Sequence, residues 1–200
     1  MKNQVPLRER KQLQARERIV NAAYELFRER GFDAVSVTDI VDRAEVGRTS
    51  FFRYFGDKQE VVFARHLELD DVISELHGQK TIPPPADLAD AIDQLRDVVV
   101  ALCAQVSKDP EEFIRHYELV DGTAELRARD AIKLQHLAHL LRELLVKRGA
   151  DQTTATLASQ LALACYQAAQ QTSGRDPRTL VANTGAMFDR LLRVREREQG

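Results

Sequence analysis

The chain has 200 residues, of which 44% are hydrophobic, and its 29 basic and 31 acidic side chains give a formal net charge of −2. This composition supports a buried core, and it excludes a wholly basic nucleic-acid coat protein and an acidic disordered tail. Two cysteines, Cys103 and Cys165, are too few for a disulfide framework or a four-cysteine zinc site, and they suit a reducing cytoplasm. The longest apolar run, 98–104, is far shorter than a membrane span, and the basic N-terminus lacks the apolar stretch of a signal peptide.

The spacing of apolar residues predicts helices along the whole chain, about nine in all, and no alternating strand pattern competes. The first helix carries an amphipathic stripe from Ile19 to Phe27 and stops at Gly31. A capping box of Ser36 and Asp39 opens a short second helix over 37–44. A tight connection at 45–47 leads to a third short helix over 48–55.

The chain beyond this point is predicted to be helical as well. A capping box at 57–60 opens a long fourth helix that ends at Gly78, and the prolines of the stretch 79–86 predict a linker. The starts of five further helices are then predicted at Asp87, Asp109-Pro110, Gly122-Thr123, about Thr153 and Asp176-Pro177.

The uneven distribution of charge and aromatic residues predicts two domains. Residues 1–18 carry six basic against two acidic side chains, and eight of the twelve aromatic residues precede residue 64. We therefore expect an all-α protein with a flexible basic arm at 1–14, a three-helix helix-turn-helix domain at 15–58, and a larger helical domain at 59–200.

The DNA-binding hypothesis depends on which residues of the third helix point outward. At 100° per residue, Phe51 and Phe55 share one face, and packing that face inward aims the rest of the helix outward. The residues placed outward or on the flanks are Arg48, Thr49, Ser50, Phe52, Arg53 and Tyr54. Small hydroxyl residues allow close approach to a major groove, and a guanidinium can bind a guanine edge or a phosphate. On spacing alone, the ordinary polar surface of a small bundle is an equally open interpretation.

The first sixty residues resemble a known family. The segments RIVNAAYELF (18–27), Gly31-Phe32, VSVTDIV (35–41) and RAEVGRTSFFRYF (43–55), followed by Lys58, are similar to the N-terminal domain of TetR/AcrR-type repressors. The resemblance covers roughly residues 15–63 without a gap. It implies a homodimeric transcriptional regulator that binds a palindromic DNA operator and responds to a small-molecule effector. We expect this regulator to repress transcription rather than to activate it.

The same resemblance assigns DNA contacts to the N-terminus of helix one, the first turn of helix two, helix three, and a lysine that holds a phosphate. The residues at these positions are Arg16, Thr38, Arg48, Thr49, Ser50, Phe52, Arg53, Tyr54 and Lys58. Two departures stand out: Phe52 occupies a position where many members have a tyrosine, and Glu45 replaces the usual turn glycine. The basic arm from Arg8 to Arg18 could follow the DNA backbone or remain a solvated tail.

For residues 59–200 the resemblance extends only to the layout of helices. It implies an effector pocket, for which we expect Cys103, Phe113, His116, Tyr117, Cys165 and Tyr166, with His136 and His139 as further candidates. It also implies a four-helix dimer interface built by the last two helices, with Ala162, Ala169, Met187, Phe188 and Leu191 as contacts. An ordinary intrachain core is the alternative for both sets.

Chemical alternatives receive little support from the sequence. His136 and His139 could share a metal and Asp70, Asp71 and Glu75 could imitate a magnesium site, but surface positions explain both groups better. Phosphate-binding glycine loops and the HExxH and GxSxG motifs are missing, so we expect neither an enzyme nor a cofactor. The second functional hypothesis is a helical partner-binding protein with the same fold and no operator.

Overall fold

The computed structural model describes residues 7–64, 82–174 and 176–196. Nine α-helices form the regular structure of these ranges, in agreement with the predicted all-α class. The chain divides into two compact units, Met1–Leu67 and Glu68–Gly200.

The first unit is a small bundle built around one long helix. α1 spans Leu7–Arg30 and packs against α2 (Val37–Arg43), α3 (Arg48–Tyr54) and α4 (Lys58–Val62). The apolar stripe predicted for α1 forms one side of the core, and the short helices and the turns around them supply the rest. The fully buried large side chains of this core are Ile19, Leu26, Ile40 and Phe51.

Local capping sets the ends of these helices. The Ser36 hydroxyl accepts a hydrogen bond from the Asp39 amide (3.2 Å), and the Asp39 carboxylate accepts one from the Ser36 amide (2.8 Å), which is the predicted capping box. Gly31 ends α1 at φ +79°, a left-handed conformation that costs glycine little, and its amide donates to the Phe27 carbonyl (2.9 Å).

Two boundaries differ from the prediction. α1 begins at Leu7, so it includes part of the 1–14 segment for which we expected a flexible arm; the arginine, lysine, glutamine and leucine residues there are good helix formers. α4 packs on α1 and extends the first unit beyond residue 58. The predicted continuation of the fourth helix from residue 65 to Gly78 lies outside the described residues.

The turn between α2 and α3 contains the one positive-φ residue other than glycine in the described part of the chain. Glu45 adopts φ +52°, and the neighbouring Val46 amide donates to the Val41 carbonyl (3.0 Å). A side chain in the left-handed region places Cβ too close to the following carbonyl oxygen, at a cost of roughly 1–2 kcal/mol. The glycine that Glu45 replaces would avoid this cost.

We expect Glu45→Gly to raise the free energy of unfolding by about 0.5–1 kcal/mol, because relief of the left-handed conformation exceeds the extra entropy of glycine in the unfolded chain. Urea unfolding followed by circular dichroism measures the change. Glu45→Ala removes the carboxylate but keeps Cβ, so it is the matched control. Equal stabilisation by alanine would assign the gain to the charge and contradict the conformational explanation.

The described part of the second unit contains five longer helices: α5 (Leu88–Val106), α6 (Pro110–Gly122), α7 (Ala124–Lys147), α8 (Gln152–Thr172) and α9 (Pro177–Glu196). α8 contacts α5, α7 and α9, so it is the central helix of this unit. Its inward face carries alanines such as Ala155, Ala158 and Ala162, which let the neighbouring helices approach closely. Aspartate caps at Asp87, Asp109 and Asp151 open α5, α6 and α8.

The helices of this unit are amphipathic, and their apolar sides face the interior of the bundle. The largest fully buried side chains are Leu95, Phe113, His116, Leu126, Leu141, Leu145, Leu180 and Phe188. Across the described ranges, every helix is too short or too polar to cross a membrane.

Candidate nucleic-acid interface

α2, the turn at 44–47 and α3 form a helix-turn-helix. Phe51 and Phe55 are buried, with 0% and 4% of their surfaces exposed, and their ring centroids lie 5.7 Å apart. They pack under α3, where Ile40 from α2 is also completely buried. The prediction that α3 buries the face carrying Phe51 and Phe55 is therefore confirmed. The opposite side of the helix is free to face a ligand.

The outward side of α3 presents two exposed arginines held over aromatic rings. The Arg48 guanidinium lies 6.0 Å from the centroid of the Phe52 ring, and the Arg53 guanidinium lies 5.5 Å from that of Tyr54. Arg53 also donates to the Ser50 hydroxyl (3.0 Å). These contacts restrict long, flexible side chains before any ligand arrives, which reduces the entropy lost on binding.

The remaining predicted contacts on this side differ in their accessibility. Thr49 and Thr38 are exposed, Ser50 and Tyr54 are half-buried, and 50% of the Phe52 surface is exposed. A phenyl ring cannot donate a hydrogen bond to a phosphate, so Phe52 can offer DNA only apolar contact, such as packing against a thymine methyl group.

Arg16 is directed into the first unit. Its guanidinium donates to the Ala64 carbonyl (2.6 Å) and lies 5.8 Å from the centroid of the Phe55 ring. The side chain thus ties α1 to the turn after α4. These interactions give Arg16 a structural role within the unit, and the expected direct contact with DNA stays a prediction.

Lys58 also has a structural role. Its ammonium group donates to the carbonyls of Phe32 (2.9 Å) and Val35 (3.0 Å) and lies 4.3 Å from the centroid of the Phe32 ring. The lysine therefore closes the loop between α1 and α2. Two of its three donors are used within the chain, and the expected phosphate contact of the third stays a prediction.

We expect Lys58→Ala to lower the free energy of unfolding by about 2 kcal/mol, since hydrogen bonds from a charged donor are worth more than neutral ones. Thermal and urea unfolding measure the loss. Lys11→Ala, at an exposed position on α1, is the control and should change stability very little. Wild-type stability combined with weakened DNA binding in Lys58→Ala would contradict the structural role and support the phosphate contact.

The predicted effector residues fall into two groups in the second unit. Tyr117 and Phe113 line a cavity, and their rings pack with centroids 4.5 Å apart. Tyr166 lies behind them, where its hydroxyl is 2.9 Å from that of Tyr117. The other three residues, Cys103, His116 and Cys165, are buried and do not belong to the described lining of that cavity.

The two cysteines are shielded from solvent. The Cys103 sulfur is 3.4 Å from the Thr184 hydroxyl, and burial raises the pKa of the Cys103 thiol to about 11. Burial also raises the pKa of the Cys165 thiol. Both side chains are therefore neutral thiols at neutral pH, which favours packing over ligand chemistry.

Sequence reasoning missed two acidic cavity residues, Asp121 and Asp130. They are nine positions apart across the α6–α7 turn, so helical periodicity alone does not bring them together. His136 and His139, considered above as metal ligands, stack with ring centroids 6.3 Å apart. The described residues contain no group of three or more His, Cys, Asp or Glu side chains that could hold a metal ion.

The predicted dimer contacts are only partly on the surface. Ala162, Ala169 and Phe188 have 0% exposure within a single chain, so they belong to the intrachain core and cannot touch a partner. This corrects the prediction for these three residues. Met187 and Leu191 are half-buried. An apolar helical stripe looks the same whether its own bundle or a second subunit covers it.

A helix-turn-helix with an arginine-bearing outward face is the arrangement typical of DNA-binding domains. Residues 19–64 match the profile of the family described as bacterial regulatory proteins, tetR family. The chain belongs to the tetR family, and its relatives are regulators rather than enzymes.

Two curated relatives resemble the chain beyond the helix-turn-helix. The mycofactocin biosynthesis transcriptional regulator MftR of Mycobacterium tuberculosis is 32% identical over 146 residues, which cover 68% of this chain and 66% of MftR. The regulator HbdR of an Aromatoleum species is 30% identical over 114 residues, covering 56% of this chain and 46% of HbdR. The chain thus spans just under two thirds of the first relative and about half of the second.

Solved structures share the fold at lower identity. SmeT, the repressor of the Stenotrophomonas maltophilia multidrug efflux pump SmeDEF, matches with a TM-score of 0.59 at 19% identity, covering 90% of this chain and 89% of SmeT. Thermus thermophilus FadR, solved with lauroyl-CoA, matches with a TM-score of 0.54 at 23% identity, covering 88% of this chain and 92% of FadR. The predicted combination of a helix-turn-helix domain and a second helical domain is confirmed.

Proposed function

We propose that the protein is a homodimeric repressor that binds a palindromic operator through α3 and is released by a small-molecule effector. The observation that carries this proposal is the pair of exposed arginines, Arg48 and Arg53, fixed over aromatic rings above the buried Phe51 and Phe55. Arginine is the side chain that most often reads guanine in the major groove. Because the protein is proposed to act on DNA, we expect it in the cytoplasm.

Operator binding is expected to depend strongly on salt. Residues 1–60 carry twelve basic and ten acidic side chains, so one domain provides only a small net positive charge. Each phosphate that the protein neutralises contributes about −0.9 to the slope of log K against log salt. Two copies on one operator double the number of such contacts and make useful affinity attainable.

The proposed dimer uses the exposed sides of α8 and α9. On α8, Leu157 and Ala164 are exposed, and Leu161 and Ala168 beside them are half-buried. On α9, the exposed residues include Ala182 and Ala186. Small and apolar residues on two adjacent helices suit close packing against the same surface of a second copy. A two-fold dimer would present its recognition helices about 34–36 Å apart, one turn of DNA.

We expect Leu157→Glu to weaken dimerisation at least tenfold, because the substitution places a charge in an apolar interface. Light scattering coupled to size-exclusion chromatography, over a range of protein concentrations, measures the change. Ile132→Glu is the matched control, since Ile132 on α7 is 66% exposed and Leu157 is 47% exposed. An unchanged oligomeric state in Leu157→Glu, or dissociation in Ile132→Glu, would contradict the proposed interface.

The effector is proposed to act by shifting an equilibrium between two states of the protein. It must bind the state that is incompetent for DNA more tightly, since a ligand with equal affinity for both states changes nothing. FadR, solved with lauroyl-CoA, and SmeT, which has been solved as a complex with triclosan, support a ligand-responsive regulator of this fold.

Selection of DNA from a random pool tests the proposed function. Full-length protein is expected to enrich a palindrome with half-sites about one helical turn apart, and adding an effector should reduce the recovery of bound DNA. A pool without sequence enrichment would favour the alternative, a helical partner-binding protein. Enrichment of a single half-site would contradict the dimer and retain the DNA-binding role.

A further inference from the structure

A cavity of about 520 Å³ lies in the second unit, within the size range of ligand sites. α6 forms one side of it through Phe113, Tyr117, Val120 and Asp121, which are spaced so that they share one helical face. The other described lining residues come from α7, the end of α8, the following turn and α9: Asp130, Gln170, Gln171, Ser173, Gly174 and Leu180.

A neutral hydrogen-bond network forms the polar wall of the cavity. The Gln170 side-chain amide donates to the hydroxyls of both Tyr117 and Tyr166 (2.8 Å to Tyr166), and the two hydroxyls are 2.9 Å apart. Burial raises the pKa of both tyrosines above the ordinary value, so both stay protonated. The network can orient a polar ligand group but contributes no charge.

The charged residues in the described lining of the cavity are both acidic. Asp121 and Asp130 line it, and the described lining includes no lysine, arginine or histidine. Lys133, one turn beyond Asp130, acts on that carboxylate from outside the lining. Desolvation, followed by repulsion from Asp121, raises the pKa of Asp130 to about 6.

Aromatic surface lies beside these carboxylates. The Phe113 and Tyr117 rings are tilted by 48° and packed 4.5 Å apart, and both side chains line the same cavity as Asp121. Carboxylates attract a cation by charge, and the faces of aromatic rings attract it through their quadrupole. The apolar wall formed by Val120 and Leu180 suits the hydrocarbon part of a ligand.

We infer that this cavity binds an organic cation, an amine or quaternary ammonium compound with an attached apolar group, between the carboxylates of Asp121 and Asp130 and the rings of Phe113 and Tyr117. The inference deepens the proposed function, because it gives the effector a chemical class. It also distinguishes this chain from a receptor for anionic ligands: a phosphate-bearing ligand such as an acyl-CoA would meet two carboxylates in this cavity.

A charge-matched pair of probes tests the inference. Phenyltrimethylammonium and tert-butylbenzene have the same shape, since a quaternary nitrogen in one replaces a carbon in the other. Calorimetric titration of the full-length, DNA-free protein at pH 7.5 should give at least tenfold tighter binding of the cation. Equal or tighter binding of the neutral isostere, or tighter binding of benzenesulfonate, would overturn the inference.

Asp130→Asn tests the cavity itself. The variant is expected to fold, because burial already disfavours the charged carboxylate, and to bind phenyltrimethylammonium at least fivefold more weakly. Asp93→Asn, at an exposed position of α5 outside the described lining, is the control and should bind like the wild type. Unchanged affinity in Asp130→Asn, or an equal loss in Asp93→Asn, would place the cation elsewhere and contradict the assignment.

The failure of this inference can be distinguished from the failure of the proposed function. The titration contains no DNA, so its result does not depend on an operator. Binding of the cation without release of selected DNA would support the cavity assignment and contradict effector control. Specific DNA binding by a protein that does not prefer the cation would overturn the ligand class and leave the regulator intact.

Discussion

Replacing Arg48 and Arg53 together by alanine is expected to weaken operator binding at least a hundredfold. A good arginine–base contact is worth about 1–3 kcal/mol, and about 1.4 kcal/mol corresponds to a tenfold change in affinity. Because a dimer carries each substitution twice, four arginines are lost from one complex. Fluorescence anisotropy with the selected DNA, at several salt concentrations, measures both the affinity and the salt slope.

Arg43→Ala provides the control for net charge. Arg43 lies on α2 in the same domain, but its guanidinium pairs with Glu29 (3.0 Å) and Glu25 (3.4 Å) of α1. Losing it removes one positive charge without removing an arginine of α3, so we expect only a small decrease in affinity. Undiminished binding by the Arg48/Arg53 double variant, or an equally large loss in Arg43→Ala, would refute the assigned DNA-reading surface.

Phe51→Ala is expected to destabilise the first unit by about 3–5 kcal/mol, because removal of a fully buried phenyl group loses transfer free energy and leaves a cavity. The ring packs against Phe55 at a centroid distance of 5.7 Å and is completely buried. Differential scanning calorimetry should show the transition of this unit at lower temperature.

The adjacent residue offers a matched control. Phe52 has the same side chain with 50% of its surface exposed, so Phe52→Ala should cost well under 1 kcal/mol of stability. We expect it to weaken DNA binding while the domain remains folded, because its ring supports the Arg48 guanidinium. Equal destabilisation by the two substitutions would show that the buried face of α3 has been assigned incorrectly.

Structural features that depend on residues close together in the chain, such as helix starts, could be predicted from the sequence. The capping pair Ser36 and Asp39 fixes the start of α2, and the Asp109-Pro110 pair fixes that of α6, because the hydrogen bonds involved join residues within one turn. Helical geometry places Phe51 and Phe55 on one face, and their apolar side chains predict that this face is buried. These predictions needed no information about distant parts of the chain.

Interactions between distant residues could not be predicted in this way. Lys58 donates to carbonyls 26 and 23 residues earlier, and Arg16 to a carbonyl 48 residues later, so their roles depend on how the helices pack. The stripe containing Ala162 and Phe188 indicated an apolar surface but not what covers it. Asp121 and Asp130 share a cavity only because α6 and α7 fold back on each other.

The shielding of Cys103 and Cys165 provides a built-in probe for the second unit. Both cysteines of the chain belong to the second unit, and both are buried with raised thiol pKa values. Alkylating reagents react with exposed thiolates, so the rate of their modification will follow the opening of the second unit without any signal from the DNA-binding unit. A bound effector that tightens the bundle would slow this labelling, which permits ligand screening without an operator and without an engineered reporter group.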